Sequence, residues 1–430
     1  MLIRQTRLLD GRIADIRVGA VIGALAPQLE PLPGEQVLDG RGRTTIPGLH
    51  DHHVHLHSAA AQVVSIRIDP ARVHGLDGLS RVLNRPPESA AARGGPHGWI
   101  RATGYHESIA GPLDRAVLDR IGPPGPMRVQ HRSGVLWFLN SAALRAVGLP
   151  GHPDGRLRSD NLGWQKHLPH NDIDLGAVSA LLASYGVTGV TDATPEPGEV
   201  APGLRQRVRV LAPGKKILHD DQLELDGLAD WIRRRHDERI PVAVHCVTAA
   251  QLIVTIGALR LAGLAPGDRI EHAAVVPDDC LPDLRELGLT VVTQPNFIAE
   301  RGDEYLTDVP AGEQQLLWRL AGLRRAGISV ALSTDQPFGD ADPWAAMRAA
   351  VTRRTPSGRV LNGAECIDAA TALTMFLGSA DRPARPRTLA PGQPADVCLL
   401  AAEPAAVLAE LSAELVHCTV IGGALVYEKP

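Results

Sequence analysis

The sequence lacks most of the features that fix a protein's class on sight. Its five cysteines (Cys246, Cys280, Cys366, Cys398 and Cys418) are odd in number, widely spaced and free of any CxxC pair. That argues against a disulfide framework and a thiolate zinc site, and fits buried thiols in a reducing cytoplasm, the expected location. No apolar run is long enough to span a bilayer, and the opening MLIRQTRLLDGRIADIRV alternates apolar with charged residues where a signal peptide would have an apolar core. Neither sign of charge dominates: the formal net charge is −4, with acids and bases interspersed. There is thus no basic stripe for nucleic acid and no polybasic patch for a membrane. A small-molecule partner is expected, and a homo-oligomer stays open. Lysine is scarce too, since of 44 basic residues only four are lysine: Lys166, Lys215, Lys216 and Lys429.

What is present is histidine, concentrated. Pro47-Gly48-Leu49-His50-Asp51-His52-His53-Val54-His55-Leu56-His57 holds five histidines and an aspartate, bounded by a Pro-Gly turn. On a strand, residues i and i+2 face the same side. His53 and His55 can therefore present two imidazoles to one point while Val54 and Leu56 pack behind. Taken alone, the tract also suits a surface turn or a set of hydrogen-bonded core histidines. Clustered histidines favour the metal reading. His50 and His52 have the opposite parity, and His57 falls beyond the site.

At 430 residues and 44% hydrophobic, the chain can bury a large core, and one large domain with appendages is expected. Short β-like runs end in polar residues: Leu49–Leu56 with the His pair, Gly186–Asp192, Val208–Leu211, Lys216–Leu218, Pro241–Val247 with His245, Arg269–Ala273 with His272, Thr290–Gln294, and Ile328–Asp335 with Asp335. From Ile240 onward the rhythm is strand, helix, strand, the repeating unit of a parallel sheet. About eight such strands with polar C-terminal ends match an α/β fold of the (β/α)8 TIM-like barrel kind, where active sites sit at that face. Two regions break the rhythm. Residues 61–175, with their Pro/Gly-rich stretches and a WIRATGYHES run, read as an inserted lid or substrate domain after the first strand. Between Thr194 and Lys215 two candidate strands lie too close to their neighbours for a full crossover, so one barrel element is shortened or missing.

These residues, in order, resemble the amidohydrolase superfamily: PGLxDxHxHL, GVTGVTD, the Lys-Ile segment, VAVH, RIEHA and the STD strand end. The WIRATGYHES and HRSG…LNSAAL blocks are similar to its subgroup of N-substituted formamide deformylase and related metal-dependent amidases. The resemblance implies a barrel plus a small β-sandwich built from both chain ends, with residues 1–46 and 385–430 as its halves, 47–60 the first barrel strand and 176–384 the rest of the barrel. It makes His53, His55, His245 and His272 metal ligands and Asp335 a ligand that also carries the proton, with His272 a second catalytic candidate. The implied cofactor is one or two divalent ions, zinc first among them. In two-metal members the fourth strand supplies a carboxylated lysine, and the Lys-Ile-x-x-Asp pattern selects Lys216 over Lys215. Arginine could not serve there because it keeps its proton.

Candidates for the pocket wall are Tyr105, His106, His131 and Arg132 in the insertion, and Gln294, Phe297 and Arg301 after the seventh strand. Surface or packing duty competes for each. Relatives often carry Gly-His where this chain has Gly134-Val135, which implies an altered specificity. The expected activity is hydrolysis of a carbon–nitrogen bond in an amide, formamide or cyclic amide. The alternatives are a deaminase or an ester or phosphoester hydrolase of the same superfamily, and a non-catalytic barrel scaffold, which the full ligand set disfavours.

Overall fold

Eight short strands run parallel in two sheets and carry the candidate site at their ends. We number them β1 (Leu49–Val54), β2 (Val187–Asp192), β3 (Arg207–Val210), β4 (Lys215–Ile217), β5 (Ala243–Cys246), β6 (Arg269–His272), β7 (Thr290–Thr293) and β8 (Ser329–Leu332). The structure is a computed structural model that describes residues 1–70, 72–85, 98–159, 162–168, 174–194 and 203–430. In one sheet β2 lies between β1 and β3; in the other β4 to β8 follow in sequence order. Helices Leu225–Asp237, Ala249–Ala262, Cys280–Leu287 and Asn296–Asp308 connect successive strands of the second sheet, as parallel crossovers require. Backbone bonds from Asp335 N to His53 O (3.0 Å) and from His55 N to Gln336 O (2.8 Å) tie the end of β1 to the segment after β8.

Every residue of β1 and β2 is buried, so the polar side chains of β1 must find partners inside the protein or carry a large desolvation cost. The two strands approach closely at the Pro-Gly turn, where a Cβ on Gly48 would stand 2.1 Å from Thr188 Cγ2. The irregularity before Lys215 resolves into a missing helix: only Leu211–Gly214 separates β3 from β4, which belong to different sheets. Residues 195–202 of that stretch lie outside the described residues.

The chain ends meet in one eight-stranded sheet. Val397–Leu400 pairs antiparallel with Thr44–Pro47, joining the C-terminal strands Val416–Ile421 and Ala424–Glu428 to the N-terminal group. Ile3, Ile16, Val18, Ile22, Val397 and Val420 form a core on it.

Residues His57–Ala177 form a second compact unit apart from Met1–Leu56 and Val178–Pro430. It has its own five-stranded sheet, in the order Arg156–Arg158, Leu136–Leu139, Met127–His131, Ile100–Tyr105, Ile66–Arg67. Its core joins Leu79, Ile109 and Leu118 to Val129 and Phe138 of that sheet. Among the described residues no helix is long and apolar enough to cross a membrane. All five cysteines are free, and all but Cys366 are buried.

Candidate metal centre

Strand register decides which side chains meet. In parallel strands residues paired in register share a face, and the pairing aligns Lys215 with Ala243 and Arg269, and Ile217 with His245 and Glu271. Lys215, His245, Arg269 and Glu271 therefore point to one side, while Lys216, Val244, Ile270 and Cys246 point to the other. Lys215 Nζ is buried 3.1 Å from His53 Nε2. Lys216 instead sets its ammonium 5.7 Å from the ring centre of Trp231, on the helix Leu225–Asp237. This corrects the expectation for Lys216: alternation lets only one of two adjacent lysines face the histidines, and it is Lys215.

The remaining ligand candidates converge on the same place. His53 Nε2 and His55 Nε2 lie 3.6 and 3.3 Å from Asp335 Oδ1. The ring of His272 stands 4.8 Å from that of His53 and 4.4 Å from that of His245. Strand alternation alone would turn His272 outward with Cys246. Its left-handed backbone (φ 69°) breaks the alternation and brings it in, followed by Ala273 at φ 47°; Asp335 after β8 has φ 58°. Such conformations cost roughly 1–3 kcal/mol each in non-glycine residues and gather at functional sites. Here the surroundings hold them: Ala273 N bonds Glu271 O (2.9 Å), Ala274 N bonds Cys246 O (3.2 Å), and Phe338 N bonds Asp335 O (2.8 Å).

The imidazoles are held neutral and aimed. Burial pushes His53, His245 and His272 well below the usual histidine range, helped by the Lys215 charge. Burial also lowers Lys215 to about 8. Glu271 would be raised by its burial, but the charges of Arg269 and Lys215 hold it below its ordinary value. It is thus an ionised acceptor, so the short His53 Nδ1–Glu271 Oε2 bond leaves the proton on Nδ1 and the lone pair on Nε2. Arg269 in turn braces Glu271 and donates to His52 O (2.6 Å). At His272, Nδ1 donates to Gln294 Oε1 (2.7 Å), and Gln294 Nε2 donates to Ser333 Oγ (2.8 Å), which fixes the amide's orientation. Histidines that bind metals are oriented in this way through their other nitrogen.

The donor set fits a divalent ion. Nitrogens of His53 and His55 and an oxygen of Asp335 all lie within 4.8 Å of one another. Asp335 Oδ1 is buried without a hydrogen-bond partner despite the nearby rings, an uncompensated acceptor of the kind a cation satisfies. Burial would raise the Asp335 carboxyl, but His55 and His53 hold it below its ordinary value. Asp51, beneath His53, accepts from Thr334 N (3.0 Å) and Thr334 Oγ1 (2.5 Å). Burial lifts its carboxyl to about 7.

Several expected pocket residues have other duties. Tyr105 is fully buried in the core of the inserted unit, donating to Gly111 O (2.6 Å) and packing on Phe138. Gln294 orients His272, Phe297 is buried against Trp318, and the Arg301 guanidinium covers the Phe297 ring at 4.2 Å and bonds Phe338 O. Phe338 itself stands edge-on to His55 at 5.1 Å. His106 and His131 draw together beside Glu107, and Arg132 N bonds Tyr105 O (2.8 Å). His50 bonds Thr191 Oγ1 (2.9 Å) and stacks on His52, both away from the ligand set. Sequence reasoning missed Glu271, Arg269 and Asp51 as partners of the site. The signal for Glu271 was its place on β6 beside His272, but its partner is His53, 218 residues away.

Comparison with known proteins agrees with this geometry. A family model described as "Amidohydrolase family" matches residues 36–427. N-substituted formamide deformylase of Arthrobacter pascens is 24% identical over 520 aligned positions, covering 97% of this chain and 94% of that protein. An uncharacterized metal-dependent hydrolase from Pyrococcus horikoshii OT3 shares the fold with a TM-score of 0.71 at 18% identity, covering 95% of this chain and 98% of that one. Atrazine chlorohydrolase TrzN from Arthrobacter aurescens TC1, complexed with zinc, gives a TM-score of 0.52 at 15% identity over 99% of this chain and 95% of its own. With these side chains gathered in one place and the family pattern running through most of its length, this chain belongs to the amidohydrolase family and is a hydrolase acting on carbon–nitrogen bonds.

Proposed function

We propose that the protein hydrolyses the C–N bond of a small amide, formamide or cyclic amide, with one or two divalent ions, zinc first among them, held by His53, His55, Lys215, His245, His272 and Asp335. The observation that carries this reading is the buried Asp335 Oδ1, left without a hydrogen-bond partner beside two imidazole nitrogens. In this reading the two parallel sheets are arcs of one (β/α)8 barrel, supported by the backbone bonds between the end of β1 and the segment after β8. A divalent ion in such a donor set polarises a carbonyl and lowers the pKa of water toward neutrality.

The chain's own groups supply the rest. Glu271 and Gln294 hold the His53 and His272 rings with their Nε2 lone pairs turned to the site. Asp335 accepts a proton from the attacking water and returns it to the leaving nitrogen, so that the amine departs neutral. The Lys215 amine, desolvated beside His53, adds to carbon dioxide. A new N–C bond forms as one C=O π bond of carbon dioxide opens, the amine's N–H proton goes to solvent, and the resulting carbamate anion would offer its oxygens to a second ion.

The test is a panel of N-substituted formamides, linear and cyclic amides, aminated heterocycles and carboxylic esters, offered to zinc-reconstituted protein with release of amine, ammonia, formate or acid measured. Amide or formamide cleavage that outpaces the other classes supports the reading. Preferential deamination of the heterocycles or cleavage of the esters overturns it.

A further inference from the structure

The inserted unit holds two half-buried positive charges side by side on one face of its sheet. Strands Ile100–Tyr105 and Met127–His131 run parallel, with Arg101 paired to Arg128 and Thr103 to Gln130. These four side chains therefore share a face, while Ala102 and Val129, of the opposite parity, lie in the unit's core. Trp137 of the next strand pairs with Gln130 and belongs to a separate cluster with Trp99, Leu139 and Trp164. Both guanidiniums settle over its ring, the Arg101 carbon 5.3 Å and the Arg128 carbon 4.9 Å from the ring centre.

Their partners among the described residues carry no charge. Arg101 Nη1 donates to Ser65 Oγ (2.6 Å) and Nη2 reaches Gln130 Oε1 at 3.5 Å, while Gln130 Nε2 donates to Gly134 O (3.2 Å) and so keeps its oxygen toward the arginine. Among the described residues Arg128 makes no side-chain hydrogen bond, and no carboxylate acts on either guanidinium. Burial and the Arg128 charge lower Arg101 to about 9, and burial lowers Arg128 to about 10, the reverse of what a carboxylate partner would do. The Thr103 hydroxyl on the same face is buried without a hydrogen-bond partner. Arg67, exposed and paired to Thr103 from the neighbouring strand, adds a third guanidinium to that face. An aromatic ring offsets part of such a desolvation cost, and an anion offsets more.

We propose that Arg101, Arg128 and the Thr103 hydroxyl form a binding site for a doubly charged phosphate group, free or as the head of a monoester, with the Trp137 ring as the platform that holds the two guanidiniums. A guanidinium fork matches the oxygens of phosphate and carboxylate alike. Charge separates the two: one dianion neutralises both arginines, whereas a single carboxylate leaves one unmatched. The Thr103 O–H can donate to an anion oxygen. The site shares no residue with the barrel set, and it stands or falls independently of the proposed reaction.

The experiment uses the full, zinc-loaded chain in equilibrium dialysis against radiolabelled inorganic phosphate at constant ionic strength. Wild-type protein is expected to hold one phosphate more than Arg101→Gln or Arg128→Gln, since phosphate on the barrel ions is common to all three. Arg128→Lys keeps the charge but loses the fork, and Thr103→Val keeps the shape but loses the hydroxyl; each is expected to weaken that phosphate roughly tenfold or more. Thermal unfolding without phosphate guards against misfolding, because removing an unmatched charge should leave Arg128→Gln at least as stable as wild type. Displacement of the label by glycerol phosphate supports a monoester head group, and failure to displace it supports the free ion. Equal phosphate in wild type and both glutamine variants overturns the proposal. Displacement by an equal concentration of acetate overturns the choice of a dianion.

Discussion

Replacing each of the adjacent lysines in turn separates the site from its surroundings. Lys215 is buried 3.1 Å from His53 Nε2, and its burial holds it at about 8, down from 10.5. At 1.36 kcal/mol per pH unit, that displacement sets roughly 3 kcal/mol against the ammonium at neutral pH. Glu271 keeps Arg269 as its partner when Lys215 is removed. Lys215→Met therefore leaves the metal-free fold at least as stable as wild type, while one metal equivalent and most of the turnover are lost. Lys216→Met removes only the contact with Trp231, a cation–π interaction worth roughly 0.5–1 kcal/mol at a partly exposed position. Metal content and rate stay at wild-type levels. Lys215→Ala should recover part of its activity when a short carboxylic acid fills the space of the missing carbamate. The assay is metal content, urea unfolding and turnover on the same preparations. The reasoning is refuted if Lys216→Met is the inactive variant, or if Lys215→Met keeps its metal and its rate.

Three further outcomes follow from the geometry. Asp335→Asn keeps the shape of the site but removes its base, so turnover falls by roughly 10² to 10⁴-fold in a folded protein that still binds at least one ion; an unchanged rate would move the proton to another group. Glu271→Gln leaves the buried Arg269 without its carboxylate, a loss of roughly 3–5 kcal/mol in unfolding free energy, and releases the His53 ring, weakening metal binding roughly 10–100-fold; titration with a competing chelator checks the second effect. His50, lowered by burial to about 3 from 6.5, stays neutral in the fold while the unfolded chain takes up a proton below pH 6.5. Its contribution is fully present above that pH and declines as pH falls toward 3, by roughly 3 kcal/mol at pH 4. Urea unfolding of wild type and His50→Gln at pH 7, 5 and 4 should therefore show a shallower acid loss in the variant, and identical slopes would contradict this.

The sequence made the parallel strands and their polar ends legible because alternation within a strand follows a fixed period. His53, His55, His245, His272 and Asp335 come together at those ends. Which lysine joins them depends on the register between β4 and β5, which no local pattern encodes. The family-like spacing pointed to Lys216, and the pairing of Lys215 with Ala243 put the other lysine inside. Positive φ at His272 and Asp335 was equally hidden, since neither residue type announces a left-handed conformation. Glu271 stands beside His272 in the sequence yet braces His53, a contact that exists only once β1 and β6 are brought together. Tyr105 and Gln294 looked like pocket walls because they are polar residues at strand ends. Burial assigns one to a core and the other to orienting a ring.

The central claim is that cleavage depends on an ion held by His53, His55 and Asp335 and their neighbours. The direct measurement is turnover of the best formamide or amide substrate after the metal is stripped with a chelator and again after zinc is restored, with metal content recorded at each step. The account predicts that activity disappears with the metal and returns in proportion to the zinc bound, whereas His53→Ala neither holds that zinc nor recovers. Full activity in protein shown to be metal-free would contradict it.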